Sequence, residues 1–493
     1  MNIIKFWLIA IFAAVVMAGC GSSGGGGGGV VAGIDRLGAS AGTVTGFGSI
    51  FVNGVEFETD GTTQFTIDDS PGVESDLSIG DVVIVVGSID ANGTTGSADT
   101  VFADEAVEGP VDSIDLVAGT LVVAGQLVIT DASTSFDNSI SPTALDGLAA
   151  GNFVEVSGFP DADNNIRATR IERKAVAGIP PGEEVEVHGF VANLAATTFR
   201  INGLTVDFST ATIDNFPGGA ITAGDFVEAK GVSFGAGGEL IATKVELEAA
   251  NGGIDLADID DLEIEGFITR FASATDFDVS GLPVTTNAQT VFEFEDDTPA
   301  SAADLGLNVK VEVEGDVNAS GVLVADKVEV KRAAIVRITA DVDSVDAPNN
   351  TFVVLGVTVR VDSLTRIEDK SDVDDENFML SELMATDYVE MRGTVDVNGS
   401  GDVLAERVER EDPDPETIIQ GFVESVSQPM LSILGVTIET NGQTVFRDAN
   451  DNVIGNPNDF FAAIDEGSVV KAKGMETSAT VVLAEEVEIE GEN

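Results

Sequence analysis

The sequence predicts an all-β protein, built as a tandem array of six small five-stranded β-barrels. Two observations carry this prediction. The same pattern of residues recurs six times along the 493-residue chain, and such internal repetition indicates a series of units rather than one large fold. Within each copy, most strand-like segments alternate apolar and polar residues, as strands do when one face of a sheet packs against a core.

The most regular mark of the repeat is a Gly-Asp-x-Val run that is closed by a glycine seven positions later. A glycine or alanine in an opening strand precedes this run, and Ala-x-x-Val or Ala-x-x-Ile ends each copy. Since glycine accepts backbone conformations and close approaches that a side chain obstructs, these positions predict tight turns and bends. The paired positions are Gly80 and Gly87, Gly151 and Gly158, Gly224 and Gly231, Asn308 and Gly315, Thr386 and Gly393, and Gly467 and Gly474.

The strand between the paired positions has two different faces. One parity is apolar in the six copies, and the other parity is polar in five of them, with residues such as Glu228, Glu312 and Lys471. Side chains in a strand point alternately to opposite faces. We therefore expect the apolar parity to lie in a core and the polar parity to lie in water.

Each copy is interpreted as strand, strand, short Thr-x-Phe strand, loop with a helical turn, strand, hairpin and strand. Five strands with a helix between the third and the fourth are typical of an OB-like barrel. A unit of about 70 residues is large enough to bury a small core. Helical turns are expected at Ser301–Leu307, Asn377–Ala385 and Asn458–Asp465.

The predicted order of segments starts with a signal and a tether and continues with the six repeats. The signal peptide is 1–19, the lipidated cysteine and Gly-rich tether are 20–41, and the β-repeats are 42–104, 105–174, 183–248, 262–331, 334–411 and 416–490. The Gly178–Gly182 linker separates repeats two and three. We expect a cut there to leave two pieces that melt independently.

The amino terminus has the features of an export signal. Lys5 precedes an apolar run, Phe6 to Val16, that is too short to span a bilayer. The sequence Met17-Ala18-Gly19-Cys20 follows and resembles the cleavage site of bacterial lipoproteins. The resemblance implies cleavage before Cys20 and acylation of that residue; an ordinary secretory signal is the alternative.

The residues after Cys20 bear on anchoring and sorting. Gly21 follows Cys20 in place of Asp, so the resemblance to lipoproteins implies sorting to an outer membrane if the cell has one. The segment 21–32 is so rich in Gly and Ser that it predicts a flexible tether.

The chain is strongly acidic, with 85 acidic and 24 basic residues and a formal net charge of −61. Binding to nucleic acid phosphates needs patches of Lys and Arg, so nucleic acid is not expected as a partner. The acidity is interpreted as a means of solubility, with divalent-cation binding as the alternative.

The sequence offers little for catalysis. His188 is the one histidine, and the corresponding positions of the other copies are polar, so we expect it to be a solvated strand residue. With Cys20 as the one cysteine, a zinc site of the His/Cys type is excluded. We predict no catalytic residues, no enzyme activity and no bound cofactor.

Calcium is the one ion considered as a ligand. Calcium requires several oxygen ligands, and the best-spaced carboxylates and amides lie between 448 and 459, although Val453 stands where a calcium loop of the helix–loop–helix type has Gly. Asp161-Ala-Asp163-Asn-Asn165 is similar, but Asp and Asn are expected in a hairpin for turn reasons alone. The candidate calcium ligands are Asp448, Asn450, Asn452 and Asp459.

Six ordered copies of G-x-V, T-x-F, G-D-x-V-x-V-x-G and A-x-x-V-E behind this signal resemble domain-of-unknown-function family 5666 of bacterial lipoproteins. The resemblance implies an exported OB-like β-domain and lends no catalytic residues. We expect a non-enzymatic lipoprotein at the outer membrane, facing the periplasm or the cell surface. It would act as a spacer or binding array for an unknown envelope protein or glycan. The alternatives are a calcium-dependent binder of glycan or matrix component and a polymer-acting hydrolase.

Overall fold

The computed structural model describes residues 38–490, with gaps at 91–92, 132, 217, 249–258, 260, 296–297, 333, 374, 376, 396–401 and 450–451. The fold is all-β, with 55% strand and 4% helix. The strands form sheets of 13, 12, 10 and 3 strands. The three large sheets contain closed five-stranded barrels, as the sequence predicts.

Repeat one shows how a unit is built. Its strands are β1 (Gly38–Gly46), β2 (Ile50–Val52), β3 (Val55–Glu58), β4 (Gln64–Ile67), β5 (Ser70–Gly72), β6 (Val82–Ile89) and β7 (Thr95–Ala103). Strand β1 pairs with β2, β2 with β3, β3 with β7, β7 with β6, and β6 with β1 again. Strand β4 also runs parallel to β7, so β3 and β4 are two parts of the third barrel strand. This order of pairing is that of an OB-type barrel.

Repeats two and three follow the first along the chain. Repeat two contains β8 (Val107–Asp115), β9 (Thr120–Val123), β10 (Gln126–Ile129), β11 (Ser135–Phe136), β12 (Phe153–Pro160) and β13 (Ile166–Ala175). Repeat three contains β14 (Val185–Phe190), β15 (Thr198–Ile201), β16 (Leu204–Asp207), β17 (Thr212–Asp214), β18 (Phe226–Gly231), β19 (Leu240–Ile241) and β20 (Lys244–Leu247). Repeat three departs from the pattern because its last barrel strand is divided into β19 and β20.

Repeats four to six keep the regular order of strands. Repeat four contains β21 (Asp261–Ser273), β22 (Asp276–Val279), β23 (Leu282–Thr285), β24 (Val291–Phe294), β25 (Lys310–Val317) and β26 (Leu323–Val330). Repeat five contains β27 (Val336–Asp346), β28 (Thr351–Val354), β29 (Val357–Arg360), β30 (Arg366–Asp369), β31 (Tyr388–Val395) and β32 (Val403–Glu411). Repeat six contains β33 (Thr417–Ser427), β34 (Met430–Ile433), β35 (Val436–Glu439), β36 (Val445–Arg447), α1 (Pro457–Ala463), β37 (Val469–Ser478) and β38 (Val481–Ile489).

The sequence assigns two of the five barrel strands differently from the structure. It takes the Thr-x-Phe segment as the third strand, whereas the structure makes it the second part of that strand. The missed element is the short second strand, β2 in repeat one, which turns into β3 at Asn53 and Gly54. Both residues have positive φ, 51° and 77°, as a two-residue type I′ hairpin requires.

The glycine that closes the seven-residue interval has a steric explanation. In five repeats the strand register shifts at this glycine, as in a β-bulge. A Cβ added to Gly474 would overlap the carbonyl oxygen of Leu483 on the paired strand, and Gly87 would meet Ser97 in the same way. Only glycine fits this approach of two backbones.

Of the three predicted helical turns, the third alone forms an α-helix. Helix α1 begins after Asn456, whose side chain accepts a hydrogen bond from the backbone N–H of Asn458, and it buries Phe460 and Phe461. Segments 301–307 and 377–385 contain turns instead. Short 3-10 helices lie at Glu74–Asp76, Leu145–Gly147 and Ala347–Asn349.

The barrels are joined in pairs by strands of different repeats. Strand β8 of repeat two is antiparallel to β14 of repeat three, and β27 of repeat five is antiparallel to β33 of repeat six. Strand β1 of repeat one is parallel to β21 of repeat four. Repeats two and three share one hydrophobic cluster, and so do repeats five and six. The structure therefore argues against independent melting of fragments cut at Gly178–Gly182.

The expectation that the polar strand face lies in water is wrong for much of this face. Glu228 is 3% exposed and Glu312 is 7% exposed. Polar side chains of one pair of repeats cover those of another: Ser135 Oγ donates to Glu368 Oε1 at 2.9 Å, and Arg366 Nη1 donates to the carbonyl oxygen of Thr169 at 3.1 Å. The pairs thus pack through polar faces, where opposite charges and backbone carbonyls satisfy one another.

Candidate functional site

The main cluster of titratable groups lies on the shared sheet of repeats two and three. Strands β13, β12, β8, β14, β18 and β20 are consecutive neighbours there and place six charged residues opposite one another in register. Directly opposed side chains of neighbouring strands interact, so these groups determine each other's charge. We call this set the charged row; it consists of Glu172, Glu155, Glu108, Glu186, Lys230 and Lys244.

One end of the charged row is neutralised by lysine. Lys230 Nζ lies 2.9 Å from Glu186 Oε2, 2.8 Å from Glu228 Oε1 and 3.2 Å from Asp69 Oδ2. Burial opposes the charge of Lys230, but the carboxylates around it raise its pKa. Since Asp69 belongs to repeat one, this lysine ties repeat one to repeat three.

His188 belongs to the same cluster, so the expected solvated position is wrong. Its side chain is 17% exposed, and Nε2 lies 3.1 Å from Glu186 Oε1 and 4.0 Å from Asp104 Oδ2. Burial alone would lower the pKa of His188, but the hydrogen bond to Glu186 and the charge of Asp104 raise it to about 10. A histidine that stays protonated at neutral pH serves here as a cation and not as a general base.

Glu108 differs from its neighbours because, among the described residues, no cation lies at ion-pair distance from it and one of its carboxyl oxygens has no hydrogen-bond partner. Its side chain lies in register between those of Glu155 and Glu186. It is 8% exposed, and its Oε1 makes no hydrogen bond. Burial, together with the charges of Glu183 and Glu155, raises the pKa of Glu108 to about 9. The centre of the row therefore carries an uncompensated carboxyl group.

Three groups of side chains among the described residues bring their ligand atoms within 4.8 Å of one another. The groups are Asp104, Glu186, His188 and Glu228; Asp69, Glu228 and Glu246; and Asp68, Asp104 and Glu105. Lys230 and Lys244 lie at ion-pair distance from carboxylates of the first two groups. The third group lies where repeats one and two meet and has no lysine or arginine at ion-pair distance among the residues described. We call this third group the acidic junction.

A second charged row in repeat five is balanced. The register of β30, β32, β31 and β27 aligns four arginines, with glutamates in the adjacent row. Arg407 Nη1 lies 3.1 Å from Glu409 Oε1, and Arg337 Nη2 lies 2.5 Å from Glu390 Oε2. These residues hold strands together and leave no free ligand set. The arginines are Arg366, Arg407, Arg392 and Arg337.

The predicted calcium ligands near the carboxyl terminus lie in a turn and a helix. Asp448 Oδ1 accepts hydrogen bonds from the backbone N–H of Asn452 at 3.0 Å and from its Nδ2 at 3.2 Å. Asp459 lies in the first turn of α1. Asn450 is outside the described residues. Calcium binding at these residues stays a prediction.

The hairpin at Asp161 has the hydrogen bonds that an Asp residue makes in a turn. Asp161 Oδ1 accepts hydrogen bonds at 2.9 Å from the backbone N–H groups of both Asp163 and Asn165. Such bonds are those that Asp makes in turns.

The predicted lipidation site, Cys20, and the signal peptide lie outside the described residues. In the part of the chain that the structure describes, none of the helices has the length and apolarity needed to cross a membrane.

The sequence analysis missed the buried charged rows, although a signal for them exists. The chain has only 24 basic residues, and many of them stand two positions from a glutamate on the polar parity of a strand. Glu228 with Lys230 and Glu390 with Arg392 are examples. A scarce cation placed beside a carboxylate on a regular strand face favours a buried ion pair over a wetted surface.

Comparison with known proteins agrees with the repeat analysis. No curated protein matches the chain. The family model described as Domain of unknown function (DUF5666) matches six segments: 40–96, 108–172, 188–246, 265–329, 339–409 and 420–488. Together these segments cover well over half of the chain, and each contains the strands of one barrel repeat. The chain therefore belongs to the DUF5666 family and carries six copies of its domain.

Proposed function

We propose that this protein is a non-enzymatic lipoprotein of the bacterial envelope, anchored to the outer membrane through acylated Cys20. Its six repeats would form a compact spacer or binding array that meets an envelope protein or a glycan. The resemblance of Met17-Ala18-Gly19-Cys20 to a lipoprotein cleavage site supports the anchor.

The non-enzymatic role rests on one observation, which is that the titratable side chains are bonded to one another and join the repeats. His188 is held by Glu186 as a buried cation, and Lys230 joins carboxylates of repeats one and three. General acid–base catalysis needs a group whose pKa lies near the working pH and which can reach a substrate. Here the histidine and the buried lysine hold repeats together instead. Burial raises the pKa of Glu155 and of Glu228 to about 7, but Glu155 is paired with Lys174 at 2.7 Å, and Glu228 is 3% exposed and paired with Lys230 at 2.8 Å.

The packing of the repeats supports a spacer or array. Several equal modules multiply weak contacts when they can engage a partner together. Because the repeats are joined by β-pairing between β8 and β14 and between β27 and β33, their surfaces are held at fixed spacing. The net charge of −61 argues against nucleic acid as the partner.

The anchor is tested by labelling cells with a clickable palmitate analogue. We expect label on the wild-type protein and its recovery in the outer-membrane fraction, whereas the variant Cys20→Ala stays unlabelled and is released. Wild-type protein without label, or a C20A variant that still fractionates with the membrane, would contradict the anchor. Turnover of any substrate in a broad glycan and peptide panel would contradict the non-enzymatic role.

A further inference from the structure

The acidic junction owes its geometry to the end of two paired strands. Strands β4 and β7 run parallel, with Ile67 opposite Ala103. The next residues along both strands, Asp68 and Asp104, are therefore neighbours, and the backbone N–H of Asp68 donates to the carbonyl oxygen of Ala103 at 3.2 Å. With Glu105, they bring three carboxylate oxygens within 4.8 Å of one another.

The same place in other repeats contains a cation. In repeat four, Phe294 lies opposite Val330, so the following pair is Glu295 and Lys331. In repeat two, the residues at the corresponding distances from the Thr-x-Phe and Ala-x-x-Ile marks are Ser139 and Lys174, and Lys174 Nζ lies 2.7 Å from Glu155 Oε2 and 3.3 Å from Glu172 Oε1. Repeat one has the carboxylates without the lysine or arginine. The junction shares one cation, since His188 Nε2 lies 4.0 Å from Asp104 Oδ2 but closer, at 3.1 Å, to Glu186 Oε1. Its three carboxyl groups therefore outnumber the positive charge beside them.

Two buried oxygen atoms at this place also have no partner. Asp68 Oδ1 and Glu108 Oε1 are inaccessible to solvent and make no hydrogen bond. Glu108 is 8% exposed, and Asp68 is one of the charges that raise its pKa, after burial and the charges of Glu183 and Glu155. A buried carboxyl group that lacks both a hydrogen bond and a counter-charge destabilises the folded state when it ionises. Asp104, by contrast, has a side chain that is 53% exposed, which leaves the junction open to an ion from solution.

We propose that the acidic junction binds one calcium ion through carboxylate oxygens of Asp68, Asp104 and Glu105. Calcium takes six to eight oxygen ligands in flexible geometry, whereas magnesium demands a near-ideal octahedron and zinc favours nitrogen and sulfur. The ion supplies the positive charge that Lys331 or Lys174 supplies in the other repeats. It fastens the end of repeat one to the start of repeat two. This site does not depend on the lipid anchor.

The test is isothermal titration of the full chain, purified in detergent and freed of metal, with calcium chloride. We expect saturable binding to the wild type and at least a tenfold loss of affinity in the double variant Asp68→Asn, Glu105→Gln. Magnesium is expected to bind at least tenfold more weakly than calcium. Absence of binding to the wild type, unchanged affinity in the double variant, or equal affinity for magnesium would overturn the proposal.

A second variant addresses folding directly. Asp104→Lys reproduces the Glu295–Lys331 arrangement of repeat four. In chelator, this variant is expected to melt at or above the melting temperature of the wild type, and calcium is expected not to raise its melting temperature. A D104K variant that binds calcium as the wild type does would overturn the proposal.

The matched control is Asp448→Asn, which removes a carboxylate from the turn in repeat six. It is expected to keep wild-type affinity for calcium, and calcium is expected to raise its melting temperature as much as that of the wild type. Loss of binding in D448N alone would place the ion in repeat six and overturn the assignment.

Discussion

At the scale of single residues, glycine and carboxylate positions have different physical reasons. The glycine that ends the seven-residue interval is needed because a backbone carbonyl occupies the space of its Cβ. The glutamates of the charged row behave according to their partners. Glu186 has His188 and Lys230 beside it, whereas Glu108, on the neighbouring strand, has no cation at ion-pair distance in the described part of the chain and its Oε1 makes no hydrogen bond. Two glutamates in register thus have opposite effects on stability.

Replacing Glu108 by glutamine is expected to stabilise the protein at about pH 8 and to change little at about pH 4. Folding raises the pKa of Glu108 to about 9 from 4.5, so the folded state binds this proton more tightly than the unfolded chain does. The contribution of wild-type Glu108 to stability is therefore complete below the unfolded pKa and is lost as the pH rises through the folded pKa, and glutamine avoids this loss. Thermal melts in chelator at several pH values measure it. A destabilised E108Q at pH 8 would contradict the assignment.

Glu186→Gln is the matched control and is expected to have the opposite sign. Burial alone would raise the pKa of Glu186, but hydrogen bonds from His188 and Lys230 keep it below its ordinary value. This group therefore stabilises the fold above the unfolded pKa and loses that effect as the pH falls through the folded pKa. Breaking such a buried pair costs about 3 kcal/mol. An E186Q variant that melts like the wild type at neutral pH would show that the ion pair contributes nothing.

Gly474→Ala is expected to destabilise repeat six by about 1–3 kcal/mol, which is the usual cost of forcing atoms into a packed site. The new methyl group would overlap the Leu483 carbonyl, which is part of the strand ladder and cannot move alone. Gly442→Ala is the control, since no atom lies within 4 Å of its added Cβ, and it should change stability by less than about 0.5 kcal/mol. Urea unfolding measures both, and equal effects would contradict the steric explanation.

At the scale of elements, helix α1 forms because local sequence and core packing agree. Asn456 caps it, Pro457 is its first residue, and Phe460 and Phe461 pack on Phe446 of β36 with ring centroids 4.8 and 5.9 Å away. In the predicted segment 301–307, Ser301 Oγ accepts a similar bond from the backbone N–H of Ala303 at 3.3 Å, but Leu305 is the one larger apolar side chain that the segment buries. Propensity alone does not maintain so short a helix in water.

Phe460→Ala is expected to cost about 3–5 kcal/mol, because Phe460 is fully buried and its removal leaves a cavity. The control is Phe422→Ala on β33 of the same repeat, where the side chain is 40% exposed, so a loss below about 1 kcal/mol is expected. Chemical denaturation followed by far-UV circular dichroism measures the difference. A smaller loss for F460A than for F422A would refute the role of α1 as a core element.

How far the sequence determines the elements is visible at β2 and on the charged row. Glycine spacing and alternation predict the barrels, since both are local consequences of backbone geometry. The strand β2, with three residues, is too short for an alternation signal. Alternation also shows that a face is polar but not what covers it, so burial of Glu228 and the acidic junction could not be predicted. The partner of a polar face is a property of the tertiary structure.

At the scale of the whole molecule, β-pairing between repeats converts a chain of modules into cooperative pairs. Strands β8 and β14 hydrogen-bond across the Gly178–Gly182 linker, and the buried side chains of both repeats form one cluster. The sequence predicts the number of modules, because each repeat carries its own marks. It does not predict which modules pair, because no mark distinguishes the strand edges.

A protease site inserted between Gly178 and Gly182 is therefore expected to give a nicked protein whose halves stay together. Gly178, Pro181 and Gly182 of the linker are exposed, so cleavage is feasible, while the shared sheet and core remain. Native size-exclusion chromatography should show one species, and calorimetry should show repeats two and three melting together. Two separated fragments in native buffer would contradict the pairing, and separation in denaturant confirms that cleavage occurred.

The parallel pairing of β1 with β21 joins residues that are far apart in the chain: Ser40 and Glu263, which share a hydrogen bond, are 223 positions apart. At about 5–20 residues per second, the edge of β1 stays bare for roughly 10–45 seconds after it leaves the ribosome. An uncovered edge accepts any matching strand, and a neighbouring nascent copy offers an identical β21. Crowded synthesis will therefore yield strand-exchanged dimers, whose fraction increases with expression level.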